Sequence, residues 1–157
     1  MEPWRAKALE VLPELEHEIY EAEDFWALWI EITLEFEKAY HEPRNEALIA
    51  RIYQYAFWSI EHGERAPTAK RDLPTCVCVA FFEHIPTQKA SREDMPRWIT
   101  RDEVAGMRDI FTYLYDGDFE ELLQLFGPGQ SSQSGRKAKR EAKKLPMRHG
   151  RAGKHVP

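Results

Sequence analysis

Apolar residues in the first half of the chain recur at steps of three and four. Phe25, Trp29, Ile32, Phe36 and Tyr40 form one such series, and Glu31, Glu35, Lys38 and Glu42 form another on the opposite side. Both fit an amphipathic α-helix, because residues three and four apart share a face. Asp24 stands before it as the N-cap and Glu42-Pro43 closes it. Ile49, Ile52, Tyr53, Ala56 and Ile60 predict a second helix over residues 45–62. Arg51, Gln54, Glu61 and His62 take its polar side, Trp58 falls on that side too, and Gly63 is the stop. Upstream, Pro13 interrupts residues 4–22 and forces a fresh start, after which Leu15, Ile19 and Ala22 oppose Glu14, Glu18 and Glu21. Downstream, Thr100-Arg101-Asp102-Glu103 is a capping box opening a helix with Val104, Met107, Ile110, Phe111 and Leu114 inward. Phe119, Leu122, Leu123 and Phe126 then predict a last short helix.

Residues 76–82 break this pattern, being apolar at seven consecutive positions. A run without a polar face belongs in the middle of the structure. Val77 and Val79 favour a strand, but helices flank the segment and no partner strand occurs, so a strand here would leave its backbone unpaired. Asp72 with Pro74 supplies a helix start instead. The run ends in Glu83 and His84, followed by Ile85-Pro86; residues 87–95 read as a short polar helix or turn, ended by Pro96. The predicted fold class is all-α, with six to seven short helices in a compact bundle or αα-hairpin stack.

Charge and aromatic content divide the chain in two. Residues 1–126 carry 26 acidic and 13 basic side chains, for −13, and all nineteen aromatics. Residues 127–157 carry nine basic side chains and one acid, for +8, behind a Gly/Ser linker. We therefore expect an acidic helical domain over 1–126 and a flexible linker with a disordered basic tail over 127–157. Arg136, Lys137, Lys139, Arg140, Lys143 and Lys144 are its electrostatic contacts, directed at the chain's own acidic surface or, weakly, at nucleic acid phosphates. The two cysteines, Cys76 and Cys78, have neither a zinc nor a redox spacing and read as reduced buried thiols. With no signal pattern and no run of ~20 apolar residues, the expected location is cytoplasmic, away from membranes.

Candidate chemistry is sparse. Phosphate-binding glycine motifs, a nucleophile elbow and a zinc-protease helix are absent, which points away from an enzyme, and no catalytic residue is assigned. Histidines sit beside acids throughout, but only Glu14 and His17 have the spacing of a di-metal helix motif, on an exposed acidic face, so no metal or cofactor is expected. Glu83 is the most informative side chain. A carboxylate in a last helical turn meets the negative end of the helix dipole, unfavourable by ~0.3–1 kcal/mol, so it calls for a partner. Arg92, Arg97 or backbone N–H groups after Pro86 are the candidates. Trp58 and Trp98 are candidate recognition aromatics.

The order of these parts resembles an uncharacterised family of small all-helical bacterial proteins. The matching stretches are Leu12-Pro13-Glu14-Leu15, Tyr53-Gln54-Tyr55-Ala56-Phe57-Trp58, Phe81-Phe82-Glu83-His84-Ile85-Pro86 and Pro96-Arg97-Trp98. The resemblance spans roughly residues 10–126, excludes the basic tail, and implies a fold without an activity. Two functional expectations follow from the residues. The first is a non-catalytic protein–protein interaction role, immunity-like or regulatory, in which acidic charge speeds association with a basic protein partner. The second is a small-molecule or catalytic pocket built from Glu83, His84, Trp58, Trp98 and Arg97.

Overall fold

Capping residues start the helices where the sequence marks them. The computed structural model describes residues 1–127. In it Asp24 accepts a hydrogen bond from the Ala27 amide at 2.9 Å and opens α3 (Phe25–Ala39). Asn45 does the same for Leu48 at 3.1 Å at the head of α4 (Glu46–His62). Before them, Pro13 separates α1 (Pro3–Val11) from α2 (Glu16–Glu21) through a 3₁₀ turn, Pro13–Leu15. Asp72 accepts from the Thr75 amide at 2.9 Å and opens α5 (Leu73–Val77). α6 (Lys89–Asp94) follows a 3₁₀ turn at Ile85–Thr87. The Thr100/Glu103 capping box forms at α7 (Arg101–Gly106), and Asp118 caps α9 (Phe119–Gln124). The helix expected across residues 101–114 divides at Met107 into α7 and α8 (Arg108–Phe111), directly after Gly106, which weakens a helix interior by ~1 kcal/mol relative to alanine. The described residues thus hold nine short α-helices and no strand, an all-α fold. The linker and basic tail, with Arg136, Lys137, Lys139, Arg140, Lys143 and Lys144, lie outside the described residues.

The central segment is central. α4 packs against α1, α3 and α5, while the stretch after α5 lies on α3 and α8. Phe81 is fully buried, with its ring 5.4 Å from Trp29, 4.9 Å from Phe36 and 5.7 Å from Tyr53. Phe82 continues the cluster to Phe57 and Phe111. Such ring pairs contribute ~0.5–1.5 kcal/mol each beyond their burial.

This segment differs from expectation in one respect. Cys78–Phe82 is a π-turn, in which the Glu83 amide bonds the Cys78 carbonyl, five residues back, at 3.0 Å. Neighbouring hydrogen bonds explain it. The His84 amide goes to Phe81, leaving the Ala80 carbonyl without a helical donor, and the Thr33 hydroxyl of α3, 2.7 Å from it and 2.8 Å from the Trp29 carbonyl, shares its one hydrogen between the two. Pro86 has no N–H to offer the Phe82 carbonyl. The widened turn rotates one stripe outward, so the seven-residue run is not buried all round: Val79 is 40 % exposed and Cys78 is half-buried.

Candidate functional site

The π-turn delivers Glu83 to the surface in an unusual state. Its side chain is 8 % exposed, yet among the described residues no hydrogen bond or ion pair reaches the carboxylate. Its oxygens are not sealed from solvent. Burial pushes the carboxyl above its ordinary range, with the adjacent His84 pulling weakly the other way. The expected partners are engaged elsewhere. Arg92 donates to the Pro86 carbonyl at 2.7 Å and lies over the Tyr115 ring. Arg97 pairs with Glu46 at 2.5 Å and Asp94 at 3.5 Å. None of the partners expected from the sequence therefore reaches Glu83 among the described residues.

Trp98 and Arg97 belong to a different cluster. Trp98 is fully buried, stacks on Tyr53 at 5.6 Å and donates its indole N–H to Asp94 at 2.8 Å. It has no surface with which to meet a ligand. Asp94 also accepts from the Tyr40 hydroxyl at 2.9 Å and from Arg44 at 2.6 Å. Burial alone would raise its carboxyl, but hydrogen bonds from Trp98, Arg44 and Tyr40 outweigh that and hold it below the ordinary range. This network ties α3, α4 and α6 together, and Arg97 lies across its outer side.

Trp58 goes to a third place. It is half-buried and stacked between Tyr55, three residues before it, and His62, four after, at 6.0 and 5.8 Å. Tyr55 in turn stacks on Trp29 at 5.1 Å, so a column of parallel rings runs from the core to the surface. The column ends in a cleft of about 370 Å³ that Trp58 shares with Trp4 and Phe25. The five residues named from sequence therefore do not converge; they occupy three locations.

Nucleophilic chemistry finds no support at the π-turn. Burial pushes both the Cys76 and the Cys78 thiols up, and a neutral thiol is a poor nucleophile. Among the described residues no group of three or more His, Cys, Asp or Glu side chains is placed to hold a metal ion. None of their helices is long and apolar enough to cross a membrane.

Sequence reading missed the Asp94 cluster and the Trp4–Phe25 cleft. The first had a signal: Asp94 and Trp98 are four residues apart, the spacing at which a carboxylate can receive an indole N–H along a helix. The second had none, because Trp4, Phe25 and Trp58 come from three separate helices. No family model, curated protein or solved structure matches the chain.

Proposed function

We propose that this is a non-catalytic binding protein for a basic protein partner, immunity-like or regulatory in kind, with Glu83 at the contact. The observation that carries the reading is the Glu83 carboxylate: enclosed and unpaired among the described residues, its carboxyl pushed up by burial, yet not sealed from solvent. An arginine or lysine from a partner would supply the counter-charge that the fold withholds. Exposed apolar side chains on the turn and on α3 add to the interface. Val79 is exposed on the same turn, and Ile30 and Leu34 are 54 % and 45 % exposed on α3, which packs against that turn. Acidic side chains line the α2–α3 cleft as Glu18, Glu21 and Glu31 beside Ile30. Their field steers a basic partner toward the surface and raises its association rate. The resemblance to small bacterial helical proteins is compatible with this role and adds no activity to it.

Affinity capture on the wild-type protein, the Glu83→Gln variant and a Glu31→Lys/Glu35→Lys/Glu42→Lys variant tests the reading. Loss of a buried, charge-assisted contact weakens binding by about 30-fold or more, mostly through faster dissociation. The triple reversal instead slows association and reduces its salt dependence. Failure to recover a protein partner, or a partner held equally well by Glu83→Gln, refutes the proposal.

A further inference from the structure

Two clefts adjoin at the mouth of the aromatic column, one richer in rings and the other in cations. The first, of about 370 Å³, is lined by Trp4, Phe25, Trp58 and His62, with Glu2 and Glu64 among its lining residues. The second, of about 650 Å³, shares Phe25 and Glu64 with the first and adds Asp24, Lys70, Arg71 and Arg65, the last 3.8 Å from the Asp72 carboxylate. The loop that carries these cations is fastened in place. Asp72 accepts the Ala66 amide at 2.9 Å, Leu73 donates to the Glu64 carbonyl at 3.2 Å, and the Trp26 indole N–H donates to the Lys70 carbonyl at 3.1 Å.

We infer that the paired clefts form a binding site for a small zwitterion carrying a quaternary ammonium group, with that group among the rings and its anionic end toward Arg65, Lys70 and Arg71. Trp4 and Phe25 stand nearly perpendicular, 83° apart with centroids at 6.3 Å, forming two walls of a corner; Trp58, its faces covered by Tyr55 and His62, closes the third side with its edge. Ring faces attract cations through their quadrupoles, and aromatic cages select alkylated ammonium groups on this basis. The Trp4 ring already makes this interaction, outside the cleft lining. The Arg5 guanidinium lies 4.5 Å from the Trp4 ring centroid, held there by Glu2 and by the Ala22 carbonyl. With Glu2 committed to Arg5, Glu64 is the carboxylate free of a side-chain partner between the two clefts.

A methylated ammonium fits this lining better than a primary amine. A primary amine brings three N–H donors that need acceptors when desolvated, whereas the ring walls offer none and leave Glu64 as the carboxylate to receive them. The adjoining cations then select ligands with a phosphate or carboxylate a few bonds away. The site is independent of Glu83, which lines neither cleft.

Calorimetric titration of the full chain with phosphocholine, choline and inorganic phosphate tests the assignment. Phosphocholine is expected to bind at one saturable site, with choline weaker by about fivefold for want of an anionic end. Trp4→Ala should weaken both organic probes by about tenfold, the scale of a desolvated cation–π contact. The surface variant Lys70→Glu/Arg71→Glu should reduce phosphocholine to the affinity of choline and leave choline unchanged, a split that general unfolding does not produce. Glu83→Gln should leave all three titrations as they are. The inference is overturned if neither organic probe binds, if inorganic phosphate binds as tightly as phosphocholine and displaces it, or if the Lys70/Arg71 variant binds phosphocholine like the wild type. The same headgroup also occurs on lipids. Retention on phosphatidylcholine vesicles without competition from free phosphocholine overturns a soluble ligand.

Discussion

Asp94 and Glu83 are both largely enclosed carboxylates, eleven positions apart, and the fold treats them oppositely. Asp94 receives hydrogen bonds from Tyr40, Arg44 and Trp98, and its carboxyl is held below the ordinary range. Glu83 receives none among the described residues, and its carboxyl is pushed up. Three elements converge on Asp94 because each has a donor to place there. Glu83 leaves a turn whose backbone is already rearranged to meet the Thr33 hydroxyl, and the nearby arginines face away. A saturated carboxylate fixes geometry, while an unsaturated one costs stability that the fold recovers only when something else binds.

The largest consequence is at Asp94. Replacing it with alanine strands the Tyr40 hydroxyl, the buried Trp98 indole N–H and one contact of Arg44 at once. Removing one member of a buried charged network costs about 3 kcal/mol, to be read from urea unfolding of the variant against wild type. A loss below about 1 kcal/mol would show that the contacts are replaceable and that the contrast with Glu83 is one of appearance. Linkage adds a pH signature. With a lowered folded value, Asp94 stabilises the protein fully above the unfolded carboxyl range and loses that contribution as pH falls through its folded value. The gap between wild type and Asp94→Asn should therefore shrink on acidification.

How far this was legible in sequence depends on whether a feature is local. Caps at Asp24, Asp72 and Thr100 were readable because a cap and its amide lie within three residues. The burial of Phe81 and Phe82 was readable because nothing polar interrupts the run. The π-turn was not, since it depends on a hydroxyl 47 positions away in α3. For the same reason Arg92 and Arg97 were assigned to the wrong carboxylate. Proximity in sequence made them candidates for Glu83, but Arg97 reaches Glu46, 51 positions away, across a packing that only the folded chain defines. The grouping of Glu83, His84, Trp58 and Trp98 failed similarly. Trp58 is half-buried at the end of a ring column and Trp98 is fully buried, a difference set by tertiary packing.

The turn that presents Glu83 can be tested directly. Thr33→Val keeps the shape of the side chain and removes the donor to Ala80, leaving a carbonyl unpaired in the core. A destabilisation of about 1–2 kcal/mol is expected. Amide exchange should also accelerate at Glu83 and His84 relative to α4 if the hydroxyl holds the π-turn in place. Unchanged protection at both amides would show that Pro86 and the flanking aromatics suffice.

The smallest effect, and the most diagnostic, is at Glu83 itself. Its raised folded value means that the unfolded chain ionises first as pH rises from acid. Stability attributable to this group then falls through the interval between the ordinary and the folded value, and the full cost is present at neutral pH. Glu83→Gln removes the charge, so it should be more stable than wild type at pH 7 by up to ~1 kcal/mol, a small gain because the carboxylate still touches water. At about pH 4 the advantage should narrow, since the wild-type group is then largely protonated in both states. Paired urea titrations at the two pH values read this out. A variant less stable than wild type at pH 7 would reveal a structural partner for the carboxylate and return Glu83 to the class of Asp94. A variant that gains stability while losing its protein partner would show the trade expected where a binding residue is kept at a cost to the fold.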